Sequence, residues 1–352
     1  MIKLNEIEFL RPILFIQLFF VHAFTIYTIT SWKIPNGIES VNLYDWIARI
    51  SYSCMLELFT FISGYVFYFV YNKKKFTFNA LVLSKFKRLI IPSILFSILY
   101  YLLLMEHKGF SFQLIYEIIC GEGHLWYLNM LFGCFLLLYL IKDVKRPFYF
   151  LLGTLIISIF SRCPNIFRIS QIAYYFFFFY LGFIICRYRE PIIQYIIRRK
   201  KGLFFMSMLL ILSLALLLPL NIHFKSYIAD TWLTGYFIAA LTRFINIIYS
   251  LIGIAFWYYI SVHISQKIAE VPECIKQFNV LSMGVYVFHQ FILMFLYYHT
   301  PLPDISGTYL LPWIAICLAL PASVILSYIF RLTKIGKSII SVSYTHLTLP
   351  TI

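Results

Sequence analysis

Two ionisable side chains, Arg11 and His22, interrupt the first apolar stretch of the chain, FLRPILFIQLFFVHAFTIYTI at residues 9–29. Their spacing corresponds to about three turns of an α-helix, so both project from nearly the same helix face, roughly 16 Å apart along the axis. An ionisable group in a bilayer is costly unless it faces protein or water, which makes it a functional-site hypothesis. A histidine there could act as a general base toward a hydroxyl. The structural alternatives are a snorkelling Arg11 and a neutral His22 hydrogen-bonded to a neighbouring helix.

Polar groups in four other apolar stretches fall in the same half of the membrane as His22: Glu57, His124, Arg243 and His289. At 1.5 Å per residue, Glu57 and His289 lie about 15 Å below the predicted outer ends of their helices, and Arg243 about 10 Å. His124 lies at the mouth of its helix. Together these groups predict a polar cavity that opens outward, in which Glu57 could orient the His22 imidazole. A buried ion pair is the alternative for Glu57 and Arg243.

A basic segment, KKKFTFNALVLSKFKRLIIP, precedes another apolar stretch and contains Lys85 and Arg88. Three residues apart on an α-helix, the two side chains share a face. They could bind the phosphates of a donor that enters from the cytoplasm, because Lys and Arg bind phosphate by charge and hydrogen bonding. The alternative is an ordinary cytoplasmic anchor.

Composition indicates that membrane helices must position these residues. The chain is 62% hydrophobic and only 12% charged, whereas globular proteins average about 25% charged residues. We therefore predict an all-α polytopic membrane protein with about ten spans. They lie at about 10–29, 47–71, 86–105, 124–142, 148–162, 170–187, 203–220, 236–260, 281–299 and 309–331.

The loops between these spans carry a strong charge bias. With a cytoplasmic N-terminus, 22 Lys and Arg residues fall on the inner side and 5 on the outer side. The positive-inside rule then places both termini in the cytoplasm. This bias also accounts for the net charge of +15, so we expect no nucleic-acid partner.

The C-terminal residues SVSYTHLTLPTI abandon the apolar pattern abruptly. The block VSYTHL resembles the translation of a transposon adapter used in sequencing libraries. We expect residues 342–352 to be adapter read-through, and residues 1–341 to form one transmembrane domain.

Five segments, in order, resemble the acyltransferase 3 family of integral-membrane O-acyltransferases, which acetylate surface polysaccharides. Arg11 and His22 match the family's R-x10-H signature. The other segments are similar to its FF-x-SG, R-x-x-R-x-x-x-P, HLWFL and S-x-x-IYLFH elements, and are FTFISGYVF (59–67), SKFKRLIIP (84–92), GHLWYLNMLFGCFLL (123–137) and SMGVYVFHQFIL (282–293).

The resemblance implies roles for the matching residues. His22 is the expected catalytic histidine with Arg11 as its partner, and Lys85 and Arg88 are expected to hold an acyl-CoA donor, without a metal. His124, Trp126 and His289 are expected to line the cavity. Arg243 lies in none of the matching segments and joins them through its depth alone, and all four are expected to contact the acceptor. Lys85 departs from the family pattern, in which this position is Arg, and keeps the charge without the bidentate geometry.

Three function classes follow, of which the first is favoured. It is acetyl-CoA-dependent O-acetylation of an exported or lipid-linked glycan in the inner membrane of a bacterium. A glycan or lipid transporter is the alternative, but such proteins more often show inverted repeats and paired broken helices, and we find neither in the sequence. A polysaccharide polymerase usually carries a large outer loop, and the predicted outer loops are short.

Overall fold

The computed structural model describes residues 4–28, 32–73, 75–104, 111–163, 166–199, 201–227, 231–268, 270–334 and 336, and these residues form helices and connecting loops without a strand. The predicted all-α polytopic class is confirmed. The segment at 342–352, predicted to be adapter read-through, lies outside the described residues.

Fourteen α-helices are present in the described part of the chain. They are α1 (Asn5–Phe24), α2 (Asn42–Tyr52), α3 (Met55–Lys73), α4 (Phe78–Lys85), α5 (Ile91–Leu104), α6 (Phe112–Cys120), α7 (Trp126–Ile141), α8 (Pro147–Ile159), α9 (Ile169–Arg187), α10 (Arg189–Arg198), α11 (Gly202–Ser226), α12 (Trp232–Lys267), α13 (Glu273–Tyr298) and α14 (Leu302–Leu332). A π-helical segment, Phe86–Ile90, joins α4 to α5, and a 3-10 turn, Gly123–Leu125, precedes α7.

Nine helical stretches within the described residues are long and apolar enough to cross a membrane. The one remaining predicted span, 148–162, corresponds to α8. The 13 residues of α8 extend only about 20 Å, less than the roughly 30 Å of a bilayer core. It forms an antiparallel hairpin with α9, in which Ser158 Oγ donates to the Tyr174 carbonyl at 2.8 Å and Ser170 Oγ to the Ser161 carbonyl at 2.7 Å. The start of α8 and the end of α9 therefore lie at the same end of the hairpin.

The chain divides into two compact units. The first comprises residues 1–10, 53–82 and 130–271. In its centre α3 and α9 pack with their backbones in close contact: a Cβ at Gly64 would lie 1.8 Å from the Phe179 carbonyl oxygen, and one at Gly182 would lie 2.0 Å from that of Phe61. Small residues allow such an approach between membrane helices. This contact explains the glycine of the FTFISGYVF segment.

The second unit comprises residues 11–52, 83–129 and 272–352. Helices α13 and α14 pack along each other, and α2 is fastened to α14 by Tyr44. The Tyr44 hydroxyl donates to the Tyr309 carbonyl at 2.8 Å and accepts from the Trp313 indole N–H at 3.2 Å. All three histidines of the predicted cavity belong to this unit.

Candidate active site

Three histidine rings meet inside the second unit. The ring centroids of His22 and His289 are 4.8 Å apart, those of His124 and His289 are 5.0 Å apart, and those of His22 and His124 are 6.4 Å apart. His289 and His124 are buried, and His22 is half-buried. Three helical segments far apart in sequence thus supply one cluster, hereafter the histidine cluster.

The tautomer of His289 follows from its hydrogen bond. Its Nδ1 lies 2.6 Å from the carbonyl oxygen of Tyr286, one helical turn earlier. A carbonyl only accepts, so Nδ1 carries the proton and donates it. In the neutral ring Nε2 is then the basic nitrogen. This atom is buried and has no hydrogen-bond partner among the described residues.

Tyr286 also connects His289 to His124. Its hydroxyl donates to the backbone carbonyl of His124 at 2.5 Å, while its own carbonyl accepts the hydrogen bond from His289 Nδ1. Both ring nitrogens of His124 are buried without a hydrogen-bond partner in the described part of the chain. The cluster therefore has a fixed backbone frame, and three of its ring nitrogens, both of His124 and Nε2 of His289, are without a hydrogen-bond partner among the described residues.

Two glycines shape the turn that presents His124. Gly121 has φ +83° and Gly123 has φ +54°, which an L side chain rarely adopts. A Cβ at Gly121 would also lie 2.7 Å from the backbone of Leu125. The turn is fastened to α5, because Ser97 Oγ accepts from the Glu122 N–H at 2.9 Å.

Aromatic side chains hold His22 from the other side. The Trp32 ring stacks on His22 with centroids 6.0 Å apart, and the Phe19 ring packs edge-on against His289 at 5.7 Å. On α13, the Tyr297 hydroxyl donates to the Ala23 carbonyl at 2.7 Å, directly after His22. This bond fixes α1 to α13 at the level of the cluster.

Arg11 is half-buried on the same continuous helix as His22. Eleven residues of unbroken α-helix keep the two about 16 Å apart along the axis, so Arg11 is not part of the histidine cluster. Any cooperation between them requires a reactant that extends along α1.

Lys85 and Arg88 are half-buried; Lys85 directly precedes the π-helical segment Phe86–Ile90, and Arg88 lies within it. A π-segment has a wider turn than an α-helix and frequently lies at a functional site. Arg88 precedes Ser97, which supports the His124 turn, by about 13 Å along the axis. This helix thus carries the basic pair toward one end and support for the cluster toward the other.

Glu57 and Arg243 belong to the first unit. Glu57 is buried, and its Oε1 accepts from the Tyr174 hydroxyl at 3.1 Å and from Asn246 Nδ2 at 2.9 Å. Arg243 donates to Ser170 Oγ at 3.1 Å. No ion pair joins the two in the described residues, and the role of Glu57 in orienting His22 stays a prediction.

A family model described as an acyltransferase domain matches residues 4–332, nearly the whole chain. The chain belongs to the acyltransferase 3 family. The resemblance drawn from five short segments is thereby confirmed. No curated protein and no solved structure matches the chain.

The acyltransferase contains site residues that sequence reasoning did not single out. Tyr286 lies in the GVYVFHQ segment, three residues before His289, and this spacing puts both on one helix face. Ser93 and Ser97, four apart on α5, also share a helix face, and the structure places both against the His124 turn: Ser93 Oγ donates to the Leu125 carbonyl at 3.3 Å, and Ser97 Oγ accepts from the Glu122 N–H. Trp126 follows that turn as the first residue of α7, and its ring lies 6.2 Å from the Tyr127 ring.

Proposed function

We propose that this membrane acyltransferase moves an acetyl group from cytoplasmic acetyl-CoA to a hydroxyl of an exported or lipid-linked glycan, in the inner membrane of a bacterium. The observation that carries the proposal is the histidine cluster, in a chain of an acyltransferase family. It joins a basic imidazole nitrogen to two further rings within 6.4 Å.

In this reaction the acceptor oxygen attacks the thioester carbonyl carbon. A C–O bond forms, the C–S bond breaks, and the acceptor proton passes through the enzyme to the coenzyme A thiolate. His22 serves as the general base, since a positioned imidazole typically contributes about 10²–10⁴-fold. His289 is its neighbour, with Nε2 available to accept a proton or hydrogen bond.

The donor is assigned to the basic pair at the π-segment. Lys85 and Arg88 lie on the side that the charge bias assigns to the cytoplasm, where coenzyme A is made, and their cationic groups suit its phosphates. Arg11, on the same side of the membrane, is a further cationic contact for the donor.

The donor assignment is tested with inside-out membrane vesicles and acetyl-CoA labelled in the acetyl group. Alkali-labile label in the glycan or lipid fraction should appear in these vesicles and not in right-side-out ones, since acetyl-CoA does not cross the bilayer. Replacing Lys85 and Arg88 together by Ala should raise the KM for acetyl-CoA about tenfold or more, because two charge-assisted phosphate contacts are lost.

Replacing Lys267 and Lys276 together by Ala is the matched control, because it removes two cationic charges from the same predicted face without touching the basic pair. An unchanged KM for acetyl-CoA in the Lys85 and Arg88 double variant would contradict the donor assignment. Equal labelling in both vesicle orientations would contradict a cytoplasmic donor.

A further inference from the structure

The first unit contains a cavity that is lined by none of the residues assigned above to acyl transfer. Its volume is about 870 Å³, in the range of small-molecule binding pockets. Five elements enclose it: α3, α9, α10, the start of α11, and α12. Its walls are apolar and include Phe61, Leu181, Ile196, Met206, Ile254 and Ala255.

One end of the cavity is basic. Arg198, Arg199 and Lys201, from the connection between α10 and α11, line it and are exposed. This connection lies on the face that the charge bias assigns to the cytoplasm. We call these three residues the basic rim. On α12, the lining residues begin at Tyr259, at the level of the basic rim, and end at Leu251, about 12 Å deeper in the membrane.

The rim is held in place by the wall of the cavity. The Tyr259 hydroxyl donates to the Arg199 carbonyl at 2.5 Å, and the Arg199 guanidinium lies over the Tyr195 ring at 5.0 Å. At Gly202 a Cβ would lie 2.5 Å from the Tyr259 hydroxyl, so a side chain at this position would displace that hydroxyl. Arg199 is therefore held at the edge of the apolar interior.

The polar groups of the wall are already satisfied by the protein. The Tyr258 hydroxyl lies 3.2 Å from that of Tyr65, which donates to Glu6 Oε1 at 2.8 Å. Because Tyr65 has one hydroxyl proton and gives it to Glu6, Tyr258 donates to Tyr65. The interior thus offers apolar surface and little unsatisfied hydrogen-bonding capacity.

We propose that this cavity binds an anionic phospholipid of the cytoplasmic leaflet, with an acyl chain in the apolar interior and the phosphate on the basic rim. Charge complementarity supports this occupant, since cytoplasmic leaflets carry anionic lipids that basic side chains at the surface attract. The cavity is accessible from the side, because Tyr195 and Phe205, both lining it, are 61% and 64% exposed. The proposal does not depend on the identity of the acyl donor or acceptor.

The test is native mass spectrometry of the purified full chain in detergent, titrated with phosphatidylglycerol or phosphatidylcholine of identical chains. Phosphatidylglycerol should bind at least about tenfold more tightly. Replacing Arg198, Arg199 and Lys201 together by Gln should remove that preference, since each basic contact near an anionic headgroup contributes about fivefold. Ala255 lines the cavity and is exposed, so Ala255→Trp should reduce the space for an acyl chain and weaken binding of both lipids.

The matched control replaces three basic residues on the same predicted face that do not line the cavity: Lys267, Arg331 and Lys334, each by Gln. This variant should keep the preference for phosphatidylglycerol. Equal affinity for the two lipids, an unaffected Ala255→Trp variant, or equal loss in the control would overturn the proposal. So would binding of long-chain acyl-CoA that phosphatidylglycerol does not displace.

Discussion

At the scale of single residues, the chemistry of the site depends on which imidazole nitrogen is basic. The Tyr286 carbonyl fixes the His289 proton on Nδ1 and leaves Nε2 buried and without a partner among the described residues. Leaving a buried acceptor unsatisfied costs about 1–3 kcal/mol, a penalty that a reactant hydroxyl or a protonated His22 would relieve.

His289→Asn separates a chemical role from a structural one. The Asn amide can still donate to the Tyr286 carbonyl, but it has no basic nitrogen. If His289 takes part in proton transfer, kcat should fall about 10²-fold or more with little change in the KM for acetyl-CoA. Activity close to that of the intact protein would show that only the hydrogen bond to Tyr286 matters.

Sequence reasoning found the histidines because ionisable residues are conspicuous in apolar helices. It assigned all three to the outer half of the membrane, and the structure brings their rings together. It did not single out Tyr286, because tyrosine is common in any membrane protein, although the spacing puts Tyr286 and His289 on one helix face. It also grouped Glu57 and Arg243 with the histidines from their depth along their helices, and that grouping stays a prediction.

At the scale of elements, the turn between α6 and α7 determines where His124 lies. Its backbone uses two positive-φ glycines, and Ser97 and Tyr286 each hold one of its backbone groups. The GEGH sequence predicts a turn, but the contact that forbids a side chain at Gly121 is with the backbone of Leu125 and depends on the turn's three-dimensional course.

Gly121→Ala should therefore reduce acyl transfer about tenfold or more while the protein remains inserted in the membrane. The new methyl group meets backbone, which can move only by displacing His124. Gly37→Ala is the matched control: Gly37 also has a positive φ, +77°, but no neighbour within 4 Å of its Cβ position. The comparison is made by transfer rate per unit of membrane-inserted protein. Equal activity in the two variants would contradict a positioning role for the turn.

Lys85 and Arg88 show a second feature of local structure that the sequence pattern does not predict. Spacing of three residues predicts a shared face on an α-helix, but the described helix is π-helical immediately after Lys85. Sequence patterns assume an α-helical period, so a local change of period escapes them. The π-helical segment follows Lys85 and contains Arg88, which is consistent with the assignment of this pair to the donor.

At the scale of the whole molecule, hydropathy and charge bias predicted the class and nearly all of the spans. They did not predict the division into two units, because contiguous stretches such as α1 contribute residues to both. The first turn of α1 belongs to the first unit, where buried Glu6 pairs with Arg189 at 2.6 Å. Neither residue stood out in the sequence, since a single Glu or Arg near a membrane edge is ordinary.

This ion pair should be a main determinant of stability in the first unit. Arg189→Leu leaves the Glu6 carboxylate buried without its cation and should lower the free energy of unfolding by about 3–5 kcal/mol. The double variant Glu6→Leu with Arg189→Leu should recover most of that loss. Arg49→Leu, which breaks the more exposed pair with Asp45, should cost about 1 kcal/mol or less.

Thermal unfolding of the purified protein in detergent measures these three variants against the intact chain. The expected order of stability places Arg189→Leu lowest by a clear margin. If Arg189→Leu and Arg49→Leu were equally mild, the buried pair would not anchor the start of α1.

The most direct test of the central claim is the O-acetyl content of surface polysaccharide from cells that carry the intact protein, His22→Ala, His223→Ala or no protein. His223 is an exposed histidine of α11 and serves as the control. Acetyl ester signals should appear with the intact protein and with His223→Ala, and should be absent from the other two. Ester content in the His22→Ala cells equal to that of the intact protein would contradict the account.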